Sequence, residues 1–256
     1  MKTTPYGILL MLMILTISCQ ENKKKKAKEF HPKTYKMHKA TSEIVVDGVL
    51  EEAWEKAVVK DFNNFYAAEK SHDKQNTKFR MLWDEEFLYL FYECQDQFIT
   101  AREKERDGAP YFDDCAEFFL SPTAEPIGVH FGFELNLYKT ANDFVFVNDF
   151  YEGVFGSIKG LNPAYETEIT INGTLNDNSD IDTGWTMEMA IPISVFKGVT
   201  KFEPVQKGSR WTFLALRQDR NDATGDRRVT STIFPIESEE AVHDANQFSW
   251  LEFVEE

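Results

Sequence analysis

The sequence predicts an all-β fold, an antiparallel β-sandwich of the jelly-roll kind with one or two short helical turns. Three observations carry this. Short runs rich in aromatic and β-branched residues recur along the body, clusters of Gly, Pro, Asn and Asp separate most of them, and no helical periods intervene as a βαβ sheet would need. With 256 residues, 42% hydrophobic and 14% aromatic, the chain can bury a sizeable core.

The first eighteen residues read as an export signal: Lys2, then an apolar run from Ile8 to Ile17, too short for a bilayer-spanning helix of about 20 residues. Small Ser18 before Cys19 resembles a lipoprotein signal, although Thr16 stands where such signals usually carry an aliphatic residue. Cys19 is the predicted lipidation site and the chain an exported, periplasmic or cell-surface lipoprotein, held to the membrane by its acyl anchor. Residues 19–40 read as the lipidated N-terminus and a lysine-rich tether, since Glu21 to Lys28 is polar and without apolar periodicity. Residues 1–40 carry nine lysines against two glutamates, which leaves the remainder of a chain of net charge −15 at −22. So acidic a domain repels nucleic acid and polyanionic glycans and favours neutral ligands.

The folded domain is predicted over 41–256. It opens with Ile44-Val-Val-Asp-Gly-Val-Leu-Glu-Glu-Ala-Trp54, a short strand, an Asp-Gly turn and a helical stretch in which Leu50, Ala53, Trp54 and Ala57 share a face. Residues 77–83 and 87–94 form a hairpin around Asp84-Glu85-Glu86. Further strands fall at 115–120, 129–137, 143–148, 165–171, 184–191, 211–217, 229–234 and 248–254, with a single helical turn after Pro192. In Gly184 to Pro192, Trp185, Met187, Met189 and Ile191 alternate against Thr186, Glu188 and Ala190, so one face is buried. Trp54, Trp83 and Trp185 are read as core. Cys94 and Cys115 are an even pair in an oxidising compartment, either a disulfide or two buried thiols.

The chain has no Gly-x-Ser-x-Gly, no His-Glu-x-x-His and no Gly-rich phosphate loop. Carboxylates are the remaining candidates: Asp113, Asp114, Glu117 and Glu134 could include the two that a glycosidase needs. Alternatively, Asp113 and Asp114 end a loop and cap amides. Alternation in 115–120 puts Cys115, Glu117 and Phe119 on one face and Ala116, Phe118 and Leu120 on the other. Glu117 is expected on the outer, solvated face, where an aromatic ring beside a carboxylate suits a sugar's C–H face and hydroxyls. Tyr111, on the preceding loop, would be the stacking platform.

Five fragments in order resemble carbohydrate-binding module family 9: 46–54 (Val-Asp-Gly-Val-Leu-Glu-Glu-Ala-Trp), 82–90 (Leu-Trp-Asp-Glu-Glu-Phe-Leu-Tyr-Leu), 113–119 (Asp-Asp-Cys-Ala-Glu-Phe-Phe), 133–136 (Phe-Glu-Leu-Asn) and 184–192 (Gly-Trp-Thr-Met-Glu-Met-Ala-Ile-Pro). The resemblance spans about His38 to Val254. It implies a β-sandwich that holds a sugar end between two tryptophans, with Glu and Arg or other polar contacts and, in some members, structural calcium. The first tryptophan falls on Tyr111 and the sugar-contacting glutamate on Glu117. The arginine meets Glu134, and the second tryptophan falls near Val242 and His243, where no large aromatic stands.

The implied function is non-catalytic binding of a neutral oligo- or polysaccharide in support of separate glycan-degrading enzymes. The ligand-binding candidates are Tyr111, Asp114, Glu117, Glu134, Arg217 and His243. Arg217 supplies a cationic donor or, alternatively, pairs with one of the surplus acids. Two rival readings stand beside this one: a xylanase-like glycoside hydrolase whose acid pair includes Glu117, and a haem- or metal-binding sandwich using His130 and His243 with Met187 or Met189. For calcium, the oxygen-rich loop Asn176 to Asp182 offers Asp177, Asp180 and Asp182 as ligands.

Overall fold

In the computed structural model of the chain, residues 32–68, 74–149, 154–220 and 228–255 are described. The signal segment 1–18, Cys19 and the lysine run that follows lie outside them. The described strands are β1 (Thr34–Lys39), β2 (Lys60–Asp61), β3 (Asn64–Tyr66), β4 (Thr77–Trp83), β5 (Phe87–Gln95), β6 (Cys115–Ser121), β7 (Val129–Asn136), β8 (Ala141–Asp149), β9 (Val154–Ile158), β10 (Glu166–Asn172), β11 (Gly184–Pro192), β12 (Arg210–Asp219), β13 (Val229–Thr232) and β14 (Ser249–Val254). Their hydrogen-bonded order is β10-β11-β5-β4-β1-β14-β12-β6-β7-β8-β9, with β13 on β12, β3 on β13 and β2 on β4.

This path curls into a sandwich. Trp185, Met187, Met189 and Ile191 of β11 share one buried cluster with Phe118 of β6, Phe131 of β7, Phe213 of β12 and Phe253 of β14. The alternation predicted for β11 is therefore the one that fills the core. The hairpin β4–β5 closes as read, because Asp84 Oδ1 accepts from the amides of Glu86 and Phe87, each at 2.7 Å. The helical stretch near Trp54 is a 3-10 turn, Glu52–Lys56, and the one after Pro192 is a 3-10 turn, Ile193–Phe196.

The predicted tether ends earlier than 40, since residues 34–39 are a strand. Tyr35 and Met37 point into the core while Lys36 and His38 alternate away from it. Lys36 and His38, which help give this segment a linker's composition, occupy the outward positions of a period-2 pattern, and Lys39 ends the strand. β1 lies parallel to both β14 and β4, whereas the other strand pairs are antiparallel. Cys94 and Cys115 are free and buried, the second of the two readings left open by the sequence.

Both sheets also carry apolar clusters on their outer sides. One contains Trp54, Leu82, Tyr89 and Phe91 and is roofed by the segment around Ile44 to Ala57. The other contains Phe119, Phe144, Phe146, Leu214, Leu216, Ile236 and Phe248. The first and last of the five sequence fragments, 46–54 and 184–192, are joined by Glu188. Its Oε2 accepts from the amides of Asp47 (3.0 Å) and Gly48 (2.9 Å), and its Oε1 accepts from Trp54 Nε1 (3.0 Å). Gly48 adopts φ +76°, in the left-handed region that favours glycine.

Candidate functional site

The loop Ile99 to Asp114 places the aromatic turn. Asp113 Oδ2 accepts from the amides of Arg102 (2.9 Å) and Glu103 (2.8 Å) and from Asn136 Nδ2 (2.8 Å). Asp114 accepts from Thr100 N (2.6 Å) and Arg220 N (2.7 Å). Both carboxylates thus cap loop amides, and Asp114, fully buried, leaves the ligand-binding set. The 3-10 turn Pro110–Phe112 that follows is fixed by Arg220, whose guanidinium donates to the carbonyls of Phe112 (2.5 Å) and Tyr111 (3.1 Å). Tyr111 is half-buried against Phe112, ring centroids 4.7 Å apart, and Phe112 is 51% exposed.

Register then sets what lies beside this turn. Leu216 of β12 is opposite Glu117 of β6, Glu117 opposite Glu134 of β7, and Glu134 opposite Asn142 of β8. Glu117 and Glu134 are direct cross-strand neighbours, a pairing that repels when both are charged. Asn142 Nδ2 donates to Glu134 Oε2 at 2.6 Å. Gln218 hydrogen-bonds to Glu117 and accepts in turn from Thr230 Oγ1 at 2.8 Å. Two acceptors in this row, Glu117 Oε1 and Asn142 Oδ1, have no hydrogen-bond partner among the described residues.

Burial, then the neighbouring Glu134 carboxylate, pushes Glu117 well above the usual carboxylate range. Burial likewise pushes Glu134 up to about 7. Tyr111's phenol is raised by burial and then by the charges of Glu134 and Glu117, so the ring and both acids share one neighbourhood.

The parity read from the sequence holds, because Glu117 and Phe119 share a face. The solvation does not. Glu117 is 2% exposed and Phe119 is fully buried. Phe144, Phe146 and Phe248 pack over this face, and the 3-10 turn Glu239–His243 lays the His243 ring on Phe119 (4.9 Å) and Phe146 (4.2 Å, 10° between planes). Apolar surface on an outer sheet face was closed by the chain's own C-terminal segment, which periodicity within single strands cannot reveal.

Arg217 is on the opposite face. It is fully buried and donates to Asp96 Oδ2 (2.8 Å), the Gln95 carbonyl (2.7 Å) and Thr77 Oγ1 (3.2 Å), with Trp185 5.4 Å away. The ion-pair alternative applies, and Gln218, one residue on, is the β12 side chain that meets Glu117. Asn142, Gln218 and Phe112 were missed by sequence reasoning. Gln218 had a signal, the alternation that separates it from Arg217, but only the β12–β6 register assigns the face.

The other ligand sets do not assemble. His130 Nε2 and His243 Nδ1 lie 3.1 Å apart on the outer face, while Met187 and Met189 are in the inter-sheet core, so the haem set is split between two sides of a sheet. Asp182 accepts from the amides of Thr174 (2.6 Å) and Ile99 (3.0 Å), Asp180 from Thr174 Oγ1 (3.0 Å) and Asp177 from Ser179 N (2.9 Å). Each aspartate of that loop accepts from amides or hydroxyls around it, Asp182 also tying the loop to Ile99, and the three do not converge on a calcium position. Among the described residues, the carboxylates close enough to share a cation are Asp96, Asp114 and Asp219, with oxygens within 4.8 Å. There the Arg217 guanidinium bridges Asp96 (2.8 Å) and Asp219 (3.4 Å), and Asp114's oxygens are taken by amides. A guanidinium inside the cluster repels a calcium ion, so this donor set fits an arginine.

Comparison with known proteins adds to this geometry. Residues 46–255 match the family described as carbohydrate family 9 binding domain-like. A carbohydrate-binding module family 9 from Caldicellulosiruptor kristjanssonii, in complex with cellotriose, is 16% identical, with 88% of this chain and 95% of that one covered and a TM-score of 0.61. One from the same organism in complex with glucose is 15% identical, with coverages of 86% and 96% and a TM-score of 0.59. A protein from Bacteroides uniformis is 15% identical over 87% of this chain and 100% of that one, at a TM-score of 0.67. No curated protein matches the chain.

Proposed function

Because the chain belongs to the carbohydrate family 9 binding domain-like family, we propose that it is a non-catalytic carbohydrate-binding module, presented from the membrane by a lipid on Cys19 and acting beside separate glycan-degrading enzymes. The observation that carries the reading is the aromatic turn Tyr111–Phe112 next to a row of acceptors, Glu117, Glu134 and Asn142, of which two atoms have no donor among the described residues. A sugar has the complementary parts: hydroxyls that donate to carboxylates and amides, and a C–H face that stacks on a ring. Relatives of this fold that bind cellotriose and glucose support it.

Glu117 Oε1 and Asn142 Oδ1 are out of contact with solvent, so a ligand reaches them only as the covering side chains shift. The test is calorimetric titration with cello-, xylo- and manno-oligosaccharides. Binding at millimolar concentration or tighter, lost in Glu117→Gln, is the expected result; no binding to any glycan removes the carbohydrate reading. Hydrolysis of chromogenic glycosides is expected to be nil, and turnover abolished by Glu117→Gln would restore the hydrolase reading. The anchor has its own check, since a mature N-terminus running unmodified in mass spectrometry would remove lipidation.

A further inference from the structure

The C-terminal roof over the outer face is fastened by two imidazoles. Its 3-10 turn Glu239–His243 begins beside the acceptor row: Thr230 Oγ1 donates to Gln218 Oε1 (2.8 Å) and lies 3.5 Å from Glu239 Oε2, and Gln218 meets Glu117. The turn ends over Phe119, two residues along β6 from Glu117 and on the same face. There His243 Nδ1 and His130 Nε2 of β7 are 3.1 Å apart, with 13° between the ring planes, the geometry of one N–H···N bond. Phenyl rings enclose the pair, Phe146 at 4.2 Å and Phe119 at 4.9 Å from His243, Phe146 at 5.0 Å and Phe248 at 5.2 Å from His130. His130 is 1% exposed, and its Nδ1 has no hydrogen-bond partner among the described residues.

The charged groups on the surrounding elements are placed elsewhere. On β6 and β7, Glu117 is two residues from Phe119 and Glu134 four residues from His130. On β8, Asp143 is bound to Arg106 and the Tyr165 hydroxyl, and on β12 Arg217 faces the inter-sheet side. In the roof, Glu239 pairs with Arg228 (3.4 Å), Glu240 is exposed and Asp244 Oδ1 takes the Asn246 amide (3.0 Å). A proton added to the pair keeps the N–H···N bond but strands a charge among rings that solvate it less well than water. Burial accordingly holds His243 down at about 4, and burial and then the His243 imidazole hold His130 well below the usual histidine range.

We propose that segment 236–248 is a lid over the acceptor row and that the His130–His243 bond is its acid-sensitive catch, so that acidification uncovers the site. This assigns a regulation to the carbohydrate site and rests on that reading. A histidine lowered in the closed form stabilises it above about pH 6.5 and loses that contribution as pH falls towards the closed-form value. From pH 7 to pH 5 the open form gains roughly 25-fold from one such imidazole and roughly 600-fold from two. A ligand that needs the open form gains apparent affinity in proportion while that form is the minor one.

Native-state hydrogen exchange of the full mature protein at pH 7 and pH 5, corrected for intrinsic rates, tests the catch. Its reporters are the amides of Asp244, Gln247 and Phe248, bonded to carbonyls within the roof at 3.0, 2.8 and 3.2 Å. At pH 5 they are expected to lose at least about tenfold in protection while β4 and β5 keep theirs. Calorimetric titration with cello-, xylo- and manno-trimers should find the bound trimer at least about tenfold tighter at pH 5 than at pH 7. His130→Phe/His243→Phe, which keeps two flat rings without a titrating nitrogen, should lose both differences. Equal roof protection at the two pH values, protection lost over the whole domain at once, or a trimer bound equally at both overturns the lid. A roof that opens at pH 5 while no trimer binds at either pH sustains the catch and overturns the carbohydrate reading instead. The wild-type measurements decide even where the double variant does not fold.

Discussion

Glu134 is a carboxyl whose surroundings, chiefly burial, push it up from 4.5 to about 7. An acid with a raised folded value adds stability that is fully present below its unfolded value and is lost as pH rises through the folded one. The protein is accordingly expected to lose stability between about pH 4.5 and 7, by an amount on the order of 3 kcal/mol from this group. Glu134→Gln, which mimics the protonated acid, should match the parent at pH 5 and exceed it at pH 8; urea denaturation at the two pH values checks this, and a parent as stable at pH 8 as the variant contradicts it. Gly132 offers a second residue-scale test. A Cβ there would lie 2.2 Å from the Phe144 ring, so Gly132→Ala must push that ring off Phe119, at a cost of roughly 1–3 kcal/mol read in the same unfolding assay. Of the site, the aromatic-then-acid spacing of Tyr111 and Glu117 was legible in the sequence, and so was the shared face of Glu117 and Phe119. Arg217's direction was not, because a charged residue in an apolar strand does not disclose which face carries its counter-ions.

At the level of elements, most strands were visible as aromatic-rich runs between turns, from β4 to β14. The missed ones are β2 and β3, two and three residues long and so without a readable period, and β9, a five-residue run interrupted by Gly156 and Ser157. β1 failed for another reason: its outward residues are lysine and histidine, and composition outweighed alternation. A chain beginning at residue 41 removes Tyr35 and Met37 from the core and leaves β4 and β14 without their shared neighbour. Such a truncation is expected to melt well below the full domain or to remain unfolded, as circular dichroism will show; an unchanged melting temperature would mean β1 is dispensable. The Glu188 latch makes a parallel prediction. Glu188→Ala strands the buried Gly48 amide and the buried Trp54 indole N–H and frees the part-buried Asp47 amide, and at about 1–3 kcal/mol for each buried unsatisfied group the loss should rank among the larger ones of any single substitution in the domain. Glu188→Gln, which keeps an acceptor, should cost clearly less.

For the whole molecule, the sandwich was legible because its strands alternate cleanly; the roofing of both outer faces was not, since it depends on segments far apart in sequence, 44–57 over one sheet and 236–248 over the other. Excess negative charge also acts at this scale. With −22 beyond residue 40, the domain should show no affinity for polygalacturonate even at low ionic strength, and added salt should raise its melting temperature by screening self-repulsion. A melting temperature that falls with modest salt would indicate that specific ion pairs outweigh the repulsion. The parallel seam of β1 has a mechanical side as well. A tug on the chain ahead of Thr34 runs along the length of a strand held on both flanks, by β14 over Thr34 to His38 and by β4 at His38 and Lys39. Force so applied shears several backbone hydrogen bonds together instead of peeling them one by one, so a domain hung from its N-terminus takes up load through a strand clasped on both flanks.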